Sequence, residues 1–307
     1  MTSCITYNMD RLFEAVAARG HVCVGMDTST EYIPPVELKR ASSPAAAVLA
    51  YNRAIIDATA DIAACYKVQI AYYEELGLAG LETYAKTLAY IRERGALVIA
   101  DIKRGDIADT ASRYAKAHFD GDFEADFVTL SPYMGMDSIE PWLSWADTKG
   151  KGAFVLMRTS NKGMRDFEYQ ELKTGGRLYD TVGDRLSELA AAHLGKHGYG
   201  VFGAVVGADP KSGAEREEAK AIREKRSNLF FLIPGYGAQG GGADDAALLL
   251  REGNGGVVNA SRSILKAWSS NPEAAAANAD NTIAAGAARK AAMAMRDAIW
   301  AALGSGK

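Results

Sequence analysis

Eight short apolar runs, separated by longer stretches with helical spacing, constrain this chain more than any other feature. The runs are 22–26 (VCVGM), 64–70 (ACYKVQI), 97–102 (LVIADI), 126–130 (DFVTL), 152–157 (GAFVLM), 201–206 (VFGAVV), 229–233 (LFFLI) and 256–260 (GVVNA). Short, near-continuous apolar runs read as strands buried on both faces, the habit of parallel sheets. Between them, 46–61, 75–94, 107–118, 178–196, 212–226 and 243–251 repeat apolar residues at helical intervals. Strands alternating with helices imply βα units, and eight such strands is the number that closes a barrel. A doubly wound open sheet is the competing architecture; it would carry a GxGxxG fingerprint after the first strand, which VGMDTST lacks. The expectation is an α/β protein: a single (β/α)₈ TIM barrel over 1–307. Residues 10–19 (DRLFEAVAAR) predict a helix before the first strand that covers the barrel floor. The Ala-rich stretch 284–303 predicts an extra helix at the C-terminal end.

Composition narrows the function classes. At 48% hydrophobic and 24% charged residues, the chain has an ordinary globular balance with enough apolar side chains for a large core. The net charge is −3 and no basic stripe is present, which argues against nucleic acid; an anionic substrate must be gripped by a few placed cations. Cys4, Cys23 and Cys65 form neither a CxxC pair nor a disulfide ladder, and read as reduced thiols in a cytoplasmic protein. His193 and His197 lie four apart, but no Glu completes an HExxH pattern, so they read as polar residues at a helix end. MTSCITYNMDRL has no apolar signal core and no run of 18 apolar residues exists, so no membrane span is expected.

Strand interiors rarely carry charge. Here Lys67 lies inside ACYKVQI, Asp101 and Lys103 lie at the end of LVIADIKRGDI, and Asp27 closes VCVGMD. Asp101 and Lys103 are two apart and share a face. In a closed barrel that face is the mouth at the C-terminal end of the third strand, where barrel enzymes place their chemistry. Asp106 completes an Asp-x-Lys-x-x-Asp array, and Lys67 approaches from the neighbouring strand. Alternating carboxylates and ammoniums stabilise each other's charged forms. The bland alternative is a structural salt-bridge cluster at a barrel rim.

The late strands point to phosphate. The seventh runs into IPGYGAQGGG (233–242) and the eighth into NASRSI (259–264), the two loops that commonly bind phosphate in barrels. Gly235 and Gly237 allow close backbone approach, Gln239 offers an amide N–H, and Arg262 a planar fork suited to phosphate oxygens. Ser261 and Arg262 are placed to begin a helix whose N–H groups face an anion. The polar stretch 160–177 (SNKGMRDFEYQELKTGGR) follows the fifth strand as either a lid or a solvated insertion without a role.

Together ADIKRGDIADT (100–110), PGYGAQGG and NASRSI resemble the orotidine 5′-phosphate decarboxylase family, and more narrowly its longer bacterial subfamily, over roughly 20–265. The resemblance implies decarboxylation of orotidine 5′-monophosphate (OMP) to UMP, the last step of pyrimidine biosynthesis, without metal or organic cofactor. It implies that Asp27 and Lys67 hold ribose hydroxyls, that Asp101 sits against the substrate carboxylate, and that Lys103 delivers a proton to C6. It implies a homodimer in which Asp106, Ile107 and Thr110 reach into the partner's site. It assigns Ser160 to the pyrimidine edge, with Thr159 as the alternative, and Gln239, the Ser261 N–H and Arg262 to the phosphate. Gln69 shares a face with Lys67 and is a further ribose or phosphate candidate. Two rivals stand: a Mg²⁺-dependent sugar-phosphate barrel using Glu74 or Glu75, and a nucleotide-binding protein that kept the fold without the reaction.

Overall fold

The computed structural model describes residues 5–208, 212–237, 241–270 and 279–304. Cys4 and Gln239, both singled out above, lie outside them. Eight strands, β1 (Val22–Gly25), β2 (Cys65–Gln69), β3 (Leu97–Arg104), β4 (Phe127–Leu130), β5 (Gly152–Arg158), β6 (Phe202–Val206), β7 (Phe231–Ile233) and β8 (Gly256–Ala260), form a closed barrel in sequence order. Every neighbouring pair is parallel, and β8 returns to β1 through Val22↔Val258 and Cys23↔Asn259. The alternation read from the sequence is thus realised as a TIM barrel, and each expected strand falls within a residue or two of its range.

Two apolar layers follow from the period of two along each strand. Outward residues such as Val24, Tyr66, Val68, Val98 and Val128 pack with the surrounding helices. Inward residues Cys23, Cys65, Ile99, Phe127, Phe154, Leu232 and Val257 fill the interior. Met9, Leu12 and Val16 of the Asn8–Arg19 helix join that inner cluster, so the helix plugs the floor as expected. The C-terminal helix is Asn281–Gly304, packed along Pro44–Thr59, the longer of the two α-helices between β1 and β2. Arg289 ties it down, donating to both Asp61 oxygens at 2.6 and 2.8 Å.

Helix starts follow capping chemistry. Ser43 accepts from Ala46 N ahead of Pro44, and Ser212 and Glu215 exchange a reciprocal pair of bonds at the start of Gly213–Lys225. Two helical expectations are corrected. The stretch 243–251 is helical only over Ala243–Ala247, because the chain then turns through Gly253 and Gly255 at φ +77° and +79°. A seven-residue helix, Leu143–Lys149, follows β4 where no helix was expected. Among the described residues no helix is long and apolar enough to cross a membrane.

Candidate active site

The mouth of the barrel collects charge from adjacent strands. Lys67 on β2 reaches two carboxylates at once, Asp27 Oδ1 and Asp101 Oδ2, each at 2.9 Å. Lys103 Nζ donates to Asp101 Oδ1 at 2.6 Å. Gln69 Nε2 and Thr129 Oγ1 donate to the two Asp101 oxygens at 2.9 and 2.8 Å, giving that carboxylate four donors. Ser261 Oγ donates to Asp27 Oδ2 at 2.9 Å, so the chain runs unbroken from the end of β8 to the end of β3.

Local structure explains how each member is held. Asp27 leaves β1 on a segment locked from behind: Thr28 donates to Asn52, Asn52 to Tyr73, and Tyr73 to the Met26 carbonyl. The β3–β4 register shifts between Ala100 and Arg104, and Lys103 lies within that bulge at φ +46°. A non-glycine residue in the left-handed region costs roughly 1 kcal/mol or more and persists only where surroundings impose it. Here Thr129 imposes it by accepting the Ile102 and Lys103 N–H groups, both at 3.0 Å. Bulges re-aim side chains at functional rims.

Burial alone would push the Asp101 carboxyl up; the adjoining Lys67 and Lys103 ammoniums outweigh it and hold it well below the usual carboxylate range. Burial alone would likewise pull Lys67 down, and the Asp101 and Asp27 carboxylates hold it well above the usual lysine value. Lys67 and Asp101 thus hold each other in the charged form. Lys103 differs from Lys67 in exposure: its side chain is 47% accessible against 6%, so it is the ammonium of the cluster that faces outward.

These residues line a cavity of about 220 Å³ with Thr159, Ser160 and Asn161 on one wall and Leu156, Val205, Leu232 and Pro234 as an apolar surface. A larger hollow of about 640 Å³ lies elsewhere, lined by Arg216, Asp244, Leu248 and Glu252, but among the described residues its charged side chains are not joined to one another by hydrogen bonds as Lys67, Asp101 and Lys103 are. Size therefore does not single out the site; chemistry does. Asn259, the inward polar residue of β8, also lines the mouth.

The remaining candidates divide. Arg262 begins a short helix, Arg262–Leu265, with Ser261 just ahead of it as expected, and lines a separate hollow of about 350 Å³ with Gly237, Ser263 and Lys266. Asp106 accepts from Ile107 N and stands apart from the hydrogen-bonded Lys67–Asp101–Lys103 chain; Ile107 and Thr110 are exposed. The Thr159 hydroxyl is engaged by Glu168, at 2.7 Å. Glu74 is exposed and pairs with Arg104 at 3.7 Å, and Glu75 is exposed. Among the described residues no group of three or more His, Cys, Asp or Glu side chains is gathered as a metal ligand set. Thr129 was not foreseen; its signal was one hydroxyl on the inward face of an apolar strand.

The pattern of the family described as "Orotidine 5'-phosphate decarboxylase / HUMPS family" matches residues 20–279. This chain belongs to that family. A relative named orotidine 5′-phosphate decarboxylase, from Clostridium perfringens, is 55% identical over 96% of this chain and 98% of its own length. One of the same name from Clostridium acetobutylicum is 54% identical over 85% of this chain and 89% of its own length. Both names denote a carboxy-lyase. The Leishmania donovani OMP decarboxylase structure superposes with a TM-score of 0.70 at 30% identity, covering 95% of this chain and all (100%) of that one. The L. donovani UMP synthase structure gives 0.72 at 31% identity over 95% of this chain; this chain spans 57% of that longer one. Membership turns the charged mouth from a rim of salt bridges into the candidate active site of an orotidine 5′-phosphate decarboxylase-family enzyme.

Proposed function

We propose that this chain decarboxylates OMP to UMP and CO₂ in pyrimidine biosynthesis, acting in the cytoplasm without metal or organic cofactor. The observation that carries the reading is the Asp27–Lys67–Asp101–Lys103 chain, saturated on its buried side and open at Lys103 toward the cavity.

Loss of CO₂ from C6 leaves an electron pair in the ring plane, orthogonal to the π system. Nothing in the pyrimidine delocalises it, so the barrier is very high and its lowering must reach the upper end of the ~8–23 kcal/mol that enzymes commonly remove. Fixed charge is the means at hand. Lys103 stabilises negative charge as it develops at C6 and then protonates that carbon. Asp101 sits beside the departing carboxylate and keeps Lys103 aimed. Lys67 holds Asp101 and Asp27 apart as a counter-ion to both, and with Asp27 it meets the ribose hydroxyls, with Gln69 beside them. Ser160 meets the pyrimidine edge; it is preferred to Thr159, whose hydroxyl is held by Glu168. Arg262, the Ser261 N–H and Gln239 take the phosphate, and binding there supplies energy used to order the site around the base. The insertion 160–177 serves as a wall that closes over the base.

The active unit is a homodimer in which Asp106, Ile107 and Thr110 complete the partner's site. Asp106 is only partly buried and Ile107 is 41% exposed, as residues awaiting a second subunit would be. Loss of OMP absorbance in excess EDTA tests the reaction: sustained turnover supports it and separates it from the Mg²⁺-dependent sugar-phosphate chemistry, whereas none overturns it. Mixing inactive Lys103→Ala with inactive Asp106→Ala protein tests the dimer. Subunit exchange creates one intact site per mixed dimer, so activity returns; verified exchange with no recovery rules out action in trans.

A further inference from the structure

The wall formed by residues 159–161 is held by a side chain outside the charged cluster. Glu168, half-buried and carried on the 160–177 insertion, accepts from Thr159 N at 2.8 Å through Oε2 and from Thr159 Oγ1 at 2.7 Å through Oε1. The same Thr159 hydroxyl lies 2.7 Å from Asn161 Oδ1. A hydroxyl has one proton, and a carboxylate has none to give. The Thr159 proton therefore goes to Glu168, and Thr159 has only lone pairs left for Asn161. The two ends of an amide have the same outline, and the hydrogen-bond network decides which is which. Asn161 must then turn its NH₂ toward Thr159 and its carbonyl oxygen away from it, on a residue that lines the cavity with Lys67, Asp101 and Lys103.

The insertion that presents Glu168 is itself anchored. Tyr169 and Tyr179 donate to Glu218 at 2.7 and 2.6 Å, Arg177 joins the same carboxylate, and Arg165 pairs with Glu215 at 2.8 Å. Tyr169 OH also accepts from Arg158 Nε, at 3.3 Å, at the end of β5. Glu168 thus stands on a braced support, at a fixed height behind the wall.

We propose that Glu168 is a positioning residue which, through Thr159, sets the Asn161 amide so that an acceptor faces the base, making Asn161 a specificity determinant for the imide N–H of a pyrimidine. The idea rests on the nucleotide reading above, since it needs a base carrying an N–H at that edge. A cavity edge built to accept an N–H discriminates against ligands without one, because its oxygen is then left unpaired.

The variant Glu168→Gln separates this from a merely structural role. Gln keeps the size and still accepts the Thr159 N–H, but its amide donates to the Thr159 hydroxyl. That hydroxyl then donates to Asn161, and the amide turns over. Inhibition by UMP and by ribose 5-phosphate is measured for the parent, Glu168→Gln and Glu168→Gln/Asn161→Asp, with kcat and KM for OMP. UMP affinity falls about tenfold in Glu168→Gln and ribose 5-phosphate affinity stays within twofold. In the double variant the carboxylate introduced by Asn161→Asp, an acceptor either way round, restores UMP binding. Unchanged UMP affinity in Glu168→Gln overturns the proposal, as does equal loss for both ligands. Failure of the nucleotide reading would show separately, as a parent protein that neither turns over OMP nor binds UMP.

Discussion

Asp101 at the barrel mouth and Asp126 at its floor are equally buried, at 6% and 7% exposure, yet their carboxyls are driven in opposite directions. Burial pushes Asp126 up: its close partners are neutral donors, the Val98 N–H at 3.0 Å and the Asn8 amide at 3.3 Å, and its ion pair to the half-exposed Arg11 is longer at 3.6 Å. Asp101 is held down because two ammoniums touch it, at 2.9 and 2.6 Å. The contrast teaches that burial does not by itself mark a functional carboxylate. At the floor, Asp126 is matched chiefly to backbone and amide donors, with Arg11 of the Asn8–Arg19 helix as a looser counter-ion. At the mouth, ions are matched to ions and the last of them is left facing a cavity.

The strongest way to break the comparison is to remove that last ion. Lys103→Ala should lower kcat/KM for OMP by about 10⁴-fold or more, combining a lost proton donor with lost charge stabilisation. Its thermal midpoint should stay close to the parent's, since the side chain is 47% exposed. Near-parental turnover would remove Lys103 from the chemistry. Next, Asp101→Asn should cost roughly 3 kcal/mol in urea unfolding and nearly abolish turnover, because Lys67 is left buried with half its counter-charge gone. A fully stable Asp101→Asn protein would mean that the mouth is held by other contacts.

Acid should act on the two ends differently. Burial lowers His21, at the start of β1, to about 4, against the pull of its bond to the Gly253 carbonyl, and burial lowers His118 to about 4 as well. A histidine that resists protonation when folded favours the unfolded chain once the pH drops below its ordinary value. Stability should therefore fall between about pH 6.5 and 4, by up to about 3 kcal/mol per histidine. Asp101 contributes little to that loss. Its folded value lies below the unfolded one, so its stabilisation is intact above the ordinary carboxylate range and fades only in stronger acid. Urea titrations at pH 7, 5.5 and 4.5 should show a shallower decline for His21→Gln than for the parent; parallel declines would exclude His21 as the group responsible. The smallest effect belongs to Asp126→Asn, expected to lower stability by about 1–2 kcal/mol and turnover not at all, because the amide still accepts the Val98 N–H but turns its NH₂ toward the Asn8 and Arg11 donors. A large loss of activity there would erase the distinction between mouth and floor.

Much of this was legible in the residues. Strands buried on both faces announce themselves as apolar runs, and a charge inside such a run is conspicuous, which is why Lys67, Asp101 and Lys103 stood out. The helix Leu143–Lys149 did not, because seven residues hold too few turns for a periodic pattern and it follows 3₁₀ turns around Pro141. Thr129 was missed because a β-branched hydroxyl inside a strand reads as an ordinary strand former. The bulge at Lys103 was hidden for a related reason: no glycine or asparagine marks a positive φ there.

Alternation of apolar runs with helical stretches determined a parallel sheet covered on both faces, and the count of eight strands with no GxGxxG after the first pointed to closure as a barrel. It also settled which charged residues stand at strand ends. Which of those charges meet was decided by closure. Lys67 lies 34 positions from Asp101 and 40 from Asp27, and Ser261 lies 234 from Asp27. Only the parallel register around a closed sheet brings them within hydrogen-bond reach, and in that water-poor setting the attraction between the Lys67 ammonium and the Asp101 carboxylate outweighs what burial alone would do to either.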